Sequence, residues 1–185
     1  MKLLTKPRVL GVDVARFGSA ETVVAKREGD SLVGFEAWRG LDTVYSAGRV
    51  GQIARDFEAE RIMVDDIGVG GGLTDQLAGA GLPAFGVNVG RHPFDRGHHV
   101  NLKSELTLGV QNRLRDGEIA LCPEARQTQL AREATTLRVA YAPGGKRKIE
   151  SKEEYVRRVG RSPDYWDALV LAFDDLDAAP LAAFM

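Results

Sequence analysis

The sequence predicts an α/β domain with a mixed central sheet and helices over its faces. Three observations lead there. The first forty residues read as three consecutive strands joined by turns, and beyond them helical and strand periodicities alternate. The length of 185 residues suits one sizeable core, since domains typically run to roughly 100–150 residues.

Residues 8–15 (RVLGVDVA) form a nearly continuous apolar run, the mark of a strand covered on both faces, with Asp13 near its end. Phe17, Gly18 and Ser19 supply a turn, residues 21–26 (ETVVAK) a second strand, Gly29 and Asp30 a hairpin turn, and residues 32–38 (LVGFEAW) a third strand. These three make an antiparallel meander. Thr43 is placed to cap a helix running to about Glu58, in which Val44, Ala47, Val50, Ile53, Ala54 and Phe57 recur at helical spacing. Residues 61–66 (RIMVDD) read as another buried strand. Gly68, Gly70, Gly71 and Gly72 then break the pattern before a short helix over 73–80 and a strand over 83–89. They lack the Gly-Lys-Ser/Thr ending of a phosphate-binding P-loop, which favours a tight turn.

A polar segment leads to a long helix over 100–115, closed by Asp116 and Gly117, and a further helix follows over 124–134. Residues 137–141 and 147–150 flank Pro143, Gly144 and Gly145 as two arms of a hairpin whose far arm is basic. Ser162 is placed as a cap with Pro163 at the first helical position, opening a last helix from Asp164 to about Asp177.

Charged residues make up 28% of the chain and hydrophobic ones 44%, close to the averages for globular domains and far from disordered or fibrous sequences. No apolar run approaches the ~20 residues of a membrane helix, and the first residues lack the apolar stretch of a secretory signal, so a cytoplasmic protein is expected. Cys122 is the only cysteine, which excludes an internal disulfide and a cysteine-based zinc site within one chain; a buried position is expected for it. The net charge of -1 does not advertise a nucleic-acid binder, but it conceals segregation. Asp174, Asp175 and Asp177 cluster late, whereas Lys146, Arg147, Lys148, Lys152, Arg157, Arg158 and Arg161 share one short stretch that suits a phosphate-facing surface.

A charged aspartate in an apolar central strand is costly unless something pairs it, and a hard divalent cation is an efficient partner. Asp13 therefore demands an explanation. So do Asp65 and Asp66, although neighbouring strand residues point to opposite faces, so only one of the two should share a site with Asp13. Asp164 and Asp167, three apart in the first turn of the last helix, lie on one face. Phosphodiester hydrolysis needs charge neutralisation, an activated water and leaving-group stabilisation, which two divalent ions about 3.5–4 Å apart provide. His92, His98 and His99 with Asp95 are read as a solvated loop in preference to a metal site.

Together GVDVARFGSAET, IMVDDIGVGGG, NLKSEL and KIESKEEYVRRVGRSPDYWDALVLAF resemble the C-terminal nuclease domain of phage terminase large subunits, of the ribonuclease H-like superfamily, over nearly the whole chain. The first block is similar to the family's first-strand aspartate motif, the second to its Val-Asp-x-x-Gly-x-Gly-Gly motif, and the last to its Ser-Pro-Asp-x-x-Asp-Ala-Leu ending. The resemblance implies Asp13, Asp65 and Asp167 as catalytic metal ligands, with Asp164 an accessory ligand and Asp66 outside the set. It implies Mg2+ or Mn2+, two ions in all, and cleavage of concatemeric double-stranded DNA in the cytoplasm of an infected bacterium, with little sequence specificity. Lys103 of the third block joins Lys146, Arg147, Lys148 and Lys152 as expected DNA contacts, and the hairpin over 137–150 is expected near the active site. The family's full-length partners are a terminase ATPase domain, a portal and a small terminase subunit. No Walker A sequence is present, so a single nuclease domain over 1–185, or a stand-alone relative, is expected. The competing readings are a Holliday-junction resolvase or other ribonuclease H-like nuclease, an actin-like ATPase with a phosphate-binding hairpin, and a noncatalytic DNA-binding module.

Overall fold

A strand with helices on both faces must be apolar throughout, and every residue from Val9 to Asp13 is buried in β1 (Arg8–Asp13). This strand lies at the centre of the computed structural model, which describes residues 6–15, 20–126 and 129–175. The expected turn at Phe17, Gly18 and Ser19 lies outside those residues, as does Asp177. β1 pairs antiparallel with β2 (Thr22–Glu28), which pairs antiparallel with β3 (Ser31–Trp38), giving the meander. On the other side β1 pairs in parallel with β4 (Arg61–Asp65), and β4 with β5 (Ala84–Val87). A two-residue strand, β6 (Ala120–Leu121), joins the β3 edge in parallel; nothing in so short a segment signals it from sequence. The sheet order is β5-β4-β1-β2-β3-β6, the mixed sheet of the ribonuclease H-like fold.

Strand alternation sends β1 side chains to two separate cores. Leu10 and Val12 pack with Ile62 and Val64 under α1 (Thr43–Asp56) and α2 (Gly70–Gly79), whereas Val9 and Met63 belong to a core shared with α3 (Leu102–Arg115) and α7 (Asp164–Ala172). Gly11 points into the second core and makes room for α7. A Cβ there would stand 2.1 Å from the Ala168 carbonyl oxygen, so only glycine lets this helix lie directly on β1.

Several local expectations are corrected. Asp42, not Thr43, caps α1, because its extended backbone lets the carboxylate accept from Tyr45 N. Gly68 makes the turn after β4 at φ 74°, and α2 begins at Gly70, where a Cβ would fall 1.6 Å from the Asp65 carbonyl oxygen. The helix expected over 124–134 is two, α4 (Pro123–Arg126) against β3 and α5 (Leu130–Thr136) against α7, partners that one straight helix does not serve. Cys122 is only partly buried, its sulfur accepting from Ala125 N. The hairpin is β7 (Val139–Tyr141) with β8 (Arg147–Ile149), and the basic stretch after it forms a helix, α6 (Lys152–Val159). That helix escapes a periodicity search because Tyr155 is its only buried residue, yet its capping box of Ser151 and Glu154 and its left-handed Gly160 are written in the sequence. Pro163 is the N-cap of α7 and not its first helical residue, and α7 ends at Ala172. No helix of the described residues is long and apolar enough to cross a membrane.

Candidate active site

In the parallel register of β1 and β4, Val12 lies opposite Val64. The next residues, Asp13 and Asp65, therefore end the two strands side by side, on the face of Val9 and Met63 that meets α3 and α7. Asp66 takes the opposite face, where its carboxylate accepts from Thr74 Oγ1 at 3.3 Å and occupies the space that a Gly86 side chain would need. Because Gly11 lets α7 press onto β1, the first turn of α7 brings buried Asp164 and Asp167 to the end of β1. Asp164 Oδ2 accepts from Glu21 N at 2.9 Å.

Two lysines stand among these four carboxylates. Lys152 Nζ, from the first position of α6, is 3.1 Å from Asp13 Oδ2, 3.6 Å from Asp164 Oδ1 and 3.8 Å from Asp167 Oδ2. Lys103 Nζ, from α3, is 3.1 Å from Asp167 Oδ1. Both residues, expected as DNA contacts, form ion pairs with the carboxylates in this structure. Burial pushes the Asp13 carboxyl up to about 7, with Lys152 opposing the rise and the charges of Asp167 and Asp164 adding to it. Burial also raises Asp65, which accepts from Ile67 N at 3.1 Å. Lys152 titrates above its ordinary range although burial works against its charge, because Asp13, Asp167 and Asp164 surround it. No three carboxylate, imidazole or thiol groups among the described residues converge closely enough to hold an ion.

Asp13 and Asp65 open onto a cavity of about 320 Å³ whose other walls include Lys103, Lys148 and Lys152. Its β8 wall is fixed by a hydrogen bond from Ile149 N to Ser104 Oγ at 3.0 Å, which ties the hairpin to the helix that carries Lys103. Lys148 lines this cavity and Arg147 does not, the Arg147 guanidinium donating to His99 Nε2 at 3.2 Å. Lys146 lies at the glycine turn, outside the cavity lining. His98 pairs with Asp95 at 2.7 Å, and His92 is exposed. His99 is buried, contrary to the expected solvated loop, because Arg147 covers it.

Sequence reasoning missed Glu133. This α5 residue is buried, and its Oε2 accepts from Trp166 N at 2.8 Å, capping α7 in place of Ser162, whose Oγ has no hydrogen-bond partner. Burial pushes the Glu133 carboxyl up to about 8. Its signal was an acid on the inward helical face, three residues after Leu130 and four before Leu137.

No protein-family profile and no curated protein sequence matches the chain. Solved structures do. The nuclease domain of the large terminase subunit gp2 of bacterial virus Sf6 superposes with a TM-score of 0.83 at 20% identity, covering 91% of this chain and 88% of that one. The chain has the fold of large-terminase nuclease domains. The large terminase nuclease of thermophilic phage G20c with bound magnesium matches at a TM-score of 0.69 and 15% identity, over 92% of this chain and 82% of that one. The nuclease domain of the Thermus phage P74-26 large terminase matches at 0.68 and 14%, over 92% and 80%.

Proposed function

We propose that this chain is a metal-dependent endonuclease that hydrolyses phosphodiester bonds of double-stranded DNA within a viral genome-packaging terminase. One observation carries the reading: Asp13, Asp65, Asp164 and Asp167, from three distant segments, gather beside a cavity walled by Lys103, Lys148 and Lys152. The likeness to terminase nuclease domains, one crystallised with magnesium and a variant of another with manganese, supports it. So does the donor set. Hard oxygen ligands suit Mg2+ or Mn2+, and Asp164 Oδ1 is buried without a hydrogen bond. Asp13, Asp65 and Asp167 would hold the metal, with Asp164 as accessory, by closing on the ion from their wider spacing in the metal-free protein. When bound, two such ions neutralise the phosphate, activate water and stabilise the leaving oxygen.

The protein's own part is to arrange charge. Asp13 and Asp65 are fixed by strand register, and Asp164 and Asp167 by the contact of α7 with Gly11. Lys152 and Lys103 neutralise these carboxylates in the metal-free protein, so a divalent ion must compete with an ammonium for Asp13 and Asp167. Metal binding without DNA should accordingly be weak, and Lys148 on the cavity wall is free to meet a phosphate. Portal, small subunit and ATPase domain are the partners that such a role entails.

Plasmid DNA incubated with the protein in EDTA, magnesium, manganese or calcium tests the reading. Nicking and linearisation are expected with magnesium and with less manganese, and none in EDTA. No cleavage with any of these metals, or cleavage undiminished by EDTA, overturns it. Strong preference for a four-way junction over linear duplex would instead assign the site to junction resolution.

A further inference from the structure

We propose that a basic groove beside the active site, between the β7–β8 hairpin and α6, holds backbone phosphates of the duplex beyond the bond being cut. The proposal rests on DNA being the substrate. The groove has a volume of about 550 Å³ and is lined by Arg138, Lys148, Arg157, Arg158, Glu150 and Glu154, together with the apolar Val139 and Ala140. Its two acids both make hydrogen bonds within the protein. Glu154 Oε2 accepts from Ser151 N at 2.8 Å in the capping box of α6. Glu150 Oε1 accepts from Arg138 N at 2.7 Å, and Glu150 forms an ion pair with Arg158, whose Nη2 also donates to the Thr136 carbonyl at 2.6 Å. These bonds make a braced frame that joins hairpin, α5 and α6.

What the frame leaves over is positive. The side chains of Arg138, Lys148 and Arg157 are exposed, and none has an ion-pair partner among the described residues. Four cations against two carboxylates line the groove from both sides, and this local excess of positive charge, in a chain of net charge -1, suits an extended anion. The groove is open, and its apolar strip of Val139 and Ala140 suits a sugar face, so a polymer of phosphates fits it better than a small enclosed ligand. Position identifies the polymer. Lys148 and Glu150 line both this groove and the cavity of Asp13 and Asp65, so β8 is the ridge between them and one duplex can touch both.

The test is equilibrium binding of a short duplex to the whole chain in EDTA, across a salt series. Each lost phosphate contact should flatten the slope of log K against log salt by about 0.9, so Arg138→Ala with Arg157→Ala should flatten it by about 1.8. Affinity at low salt should fall at least about tenfold, and each single substitution should give about half the slope change. The control is Arg55→Ala with Arg115→Ala, in the last turns of α1 and α3 at the opposite end of the sheet, which should keep the unsubstituted slope. An unchanged slope in the groove variants, or an equal change in the control, overturns the proposal. Plasmid cleavage by the unsubstituted protein beside an unchanged groove slope removes the groove alone. A lost slope in the groove variants beside a protein that never cleaves removes the nuclease reading alone.

Discussion

The two ends of α7 are built on opposite plans. At the C-terminal end, Arg27 is buried beneath the helix and every group of its guanidinium is used: Nη1 donates to the Ala172 carbonyl at 3.0 Å and Nε to the Gly29 carbonyl at 2.6 Å. It also pairs with Asp175 at 2.7 Å and lies 4.5 Å from the Phe173 ring centre. A cation belongs there, since a helix C-terminus carries partial negative charge. At the N-terminal end, carboxylates likewise suit the dipole, but they are left incomplete. Ser162 Oγ, Asp164 Oδ1, Trp166 Nε1 and Glu133 Oε1 are all buried without a hydrogen bond, and such an atom costs about 1–3 kcal/mol. The difference shows where the molecule keeps its stability and where it leaves room for a ligand. The closed end anchors the helix on β2, and the open end presents its acids.

The comparison is broken most severely by removing the open end's charge. Asp13→Asn and Asp167→Asn should each lower plasmid cleavage at least about a hundredfold, the scale on which losing one charge-stabilising group acts, with folding retained because mutual repulsion is relieved. Asp65→Asn should be far more damaging than Asp66→Asn, whose carboxylate faces Thr74; the reverse ranking would refute the strand register as the source of the site. At the closed end the sign of the effect is exchanged. Arg27→Met should cost about 1–3 kcal/mol in urea unfolding, because it leaves the Ala172 and Gly29 carbonyls without their donor, while cleavage per folded molecule stays unchanged. A loss well under 1 kcal/mol, or a drop in specific activity, would mean that the two ends are not divided as described.

The open end was legible in the sequence and the closed end was not. Asp13 stands out as a charge in RVLGVDVA, and the Ser-Pro-Asp-x-x-Asp spacing puts Asp164 and Asp167 on one helical face. Continuous apolar runs likewise made β1 and β4 readable, and the turn residues between them β2 and β3. Arg27, by contrast, looks like any polar residue at the end of a strand; it is buried only because α7 returns over β2, a contact no local pattern encodes. Gly11 is similar, for its need of close approach exists only once α7 lies on β1. Lys152 was read as part of a basic surface, since charge runs usually are, whereas it turns inward to Asp13, Asp164 and Asp167, and Lys103 turns to Asp167.

A smaller effect sharpens the role of Glu133, which holds the open end in position. Glu133→Gln keeps an oxygen for Trp166 N and should leave cleavage within a few-fold, whereas Glu133→Ala removes the cap and should cost about 1 kcal/mol of stability. Cleavage should fall roughly tenfold in the alanine variant, as when a group behind a metal ligand is lost. Its metal requirement should shift to higher concentration, which a purely structural loss would not cause. Equal behaviour of the two variants would remove Glu133 from the site.

The smallest effect is also the most diagnostic of an end left unfinished. Asp13 is raised to about 7 and Glu133 to about 8, both chiefly by burial, and Asp65 is raised as well. In the unfolded chain these groups lose their protons near pH ~4. Between roughly pH 4 and pH 8, therefore, the metal-free folded state holds more protons than the unfolded one, and stability must fall as pH rises. Asp95, Glu153 and Glu154 are lowered in the folded state, so their contribution is lost as pH falls through still more acidic values. Burial lowers His99 as well, which opposes the trend below about pH 6.5 by no more than one proton against those held by Asp13 and Glu133, so the fall is shallower there and steeper above. Divalent metal reverses the sign, because its ligands must be ionised: uptake releases protons, and the stabilisation it gives should grow with pH until Asp13 is fully ionised. Thermal unfolding in EDTA and in manganese from about pH 5 to about pH 8 measures both slopes. The EDTA series should descend, and Asp13→Asn with Glu133→Gln should flatten it, since neither substitute titrates. A metal-free protein whose stability is level or rising over that range would show that these carboxyls are already ionised and satisfied, and that the open end of α7 is as complete as the closed one.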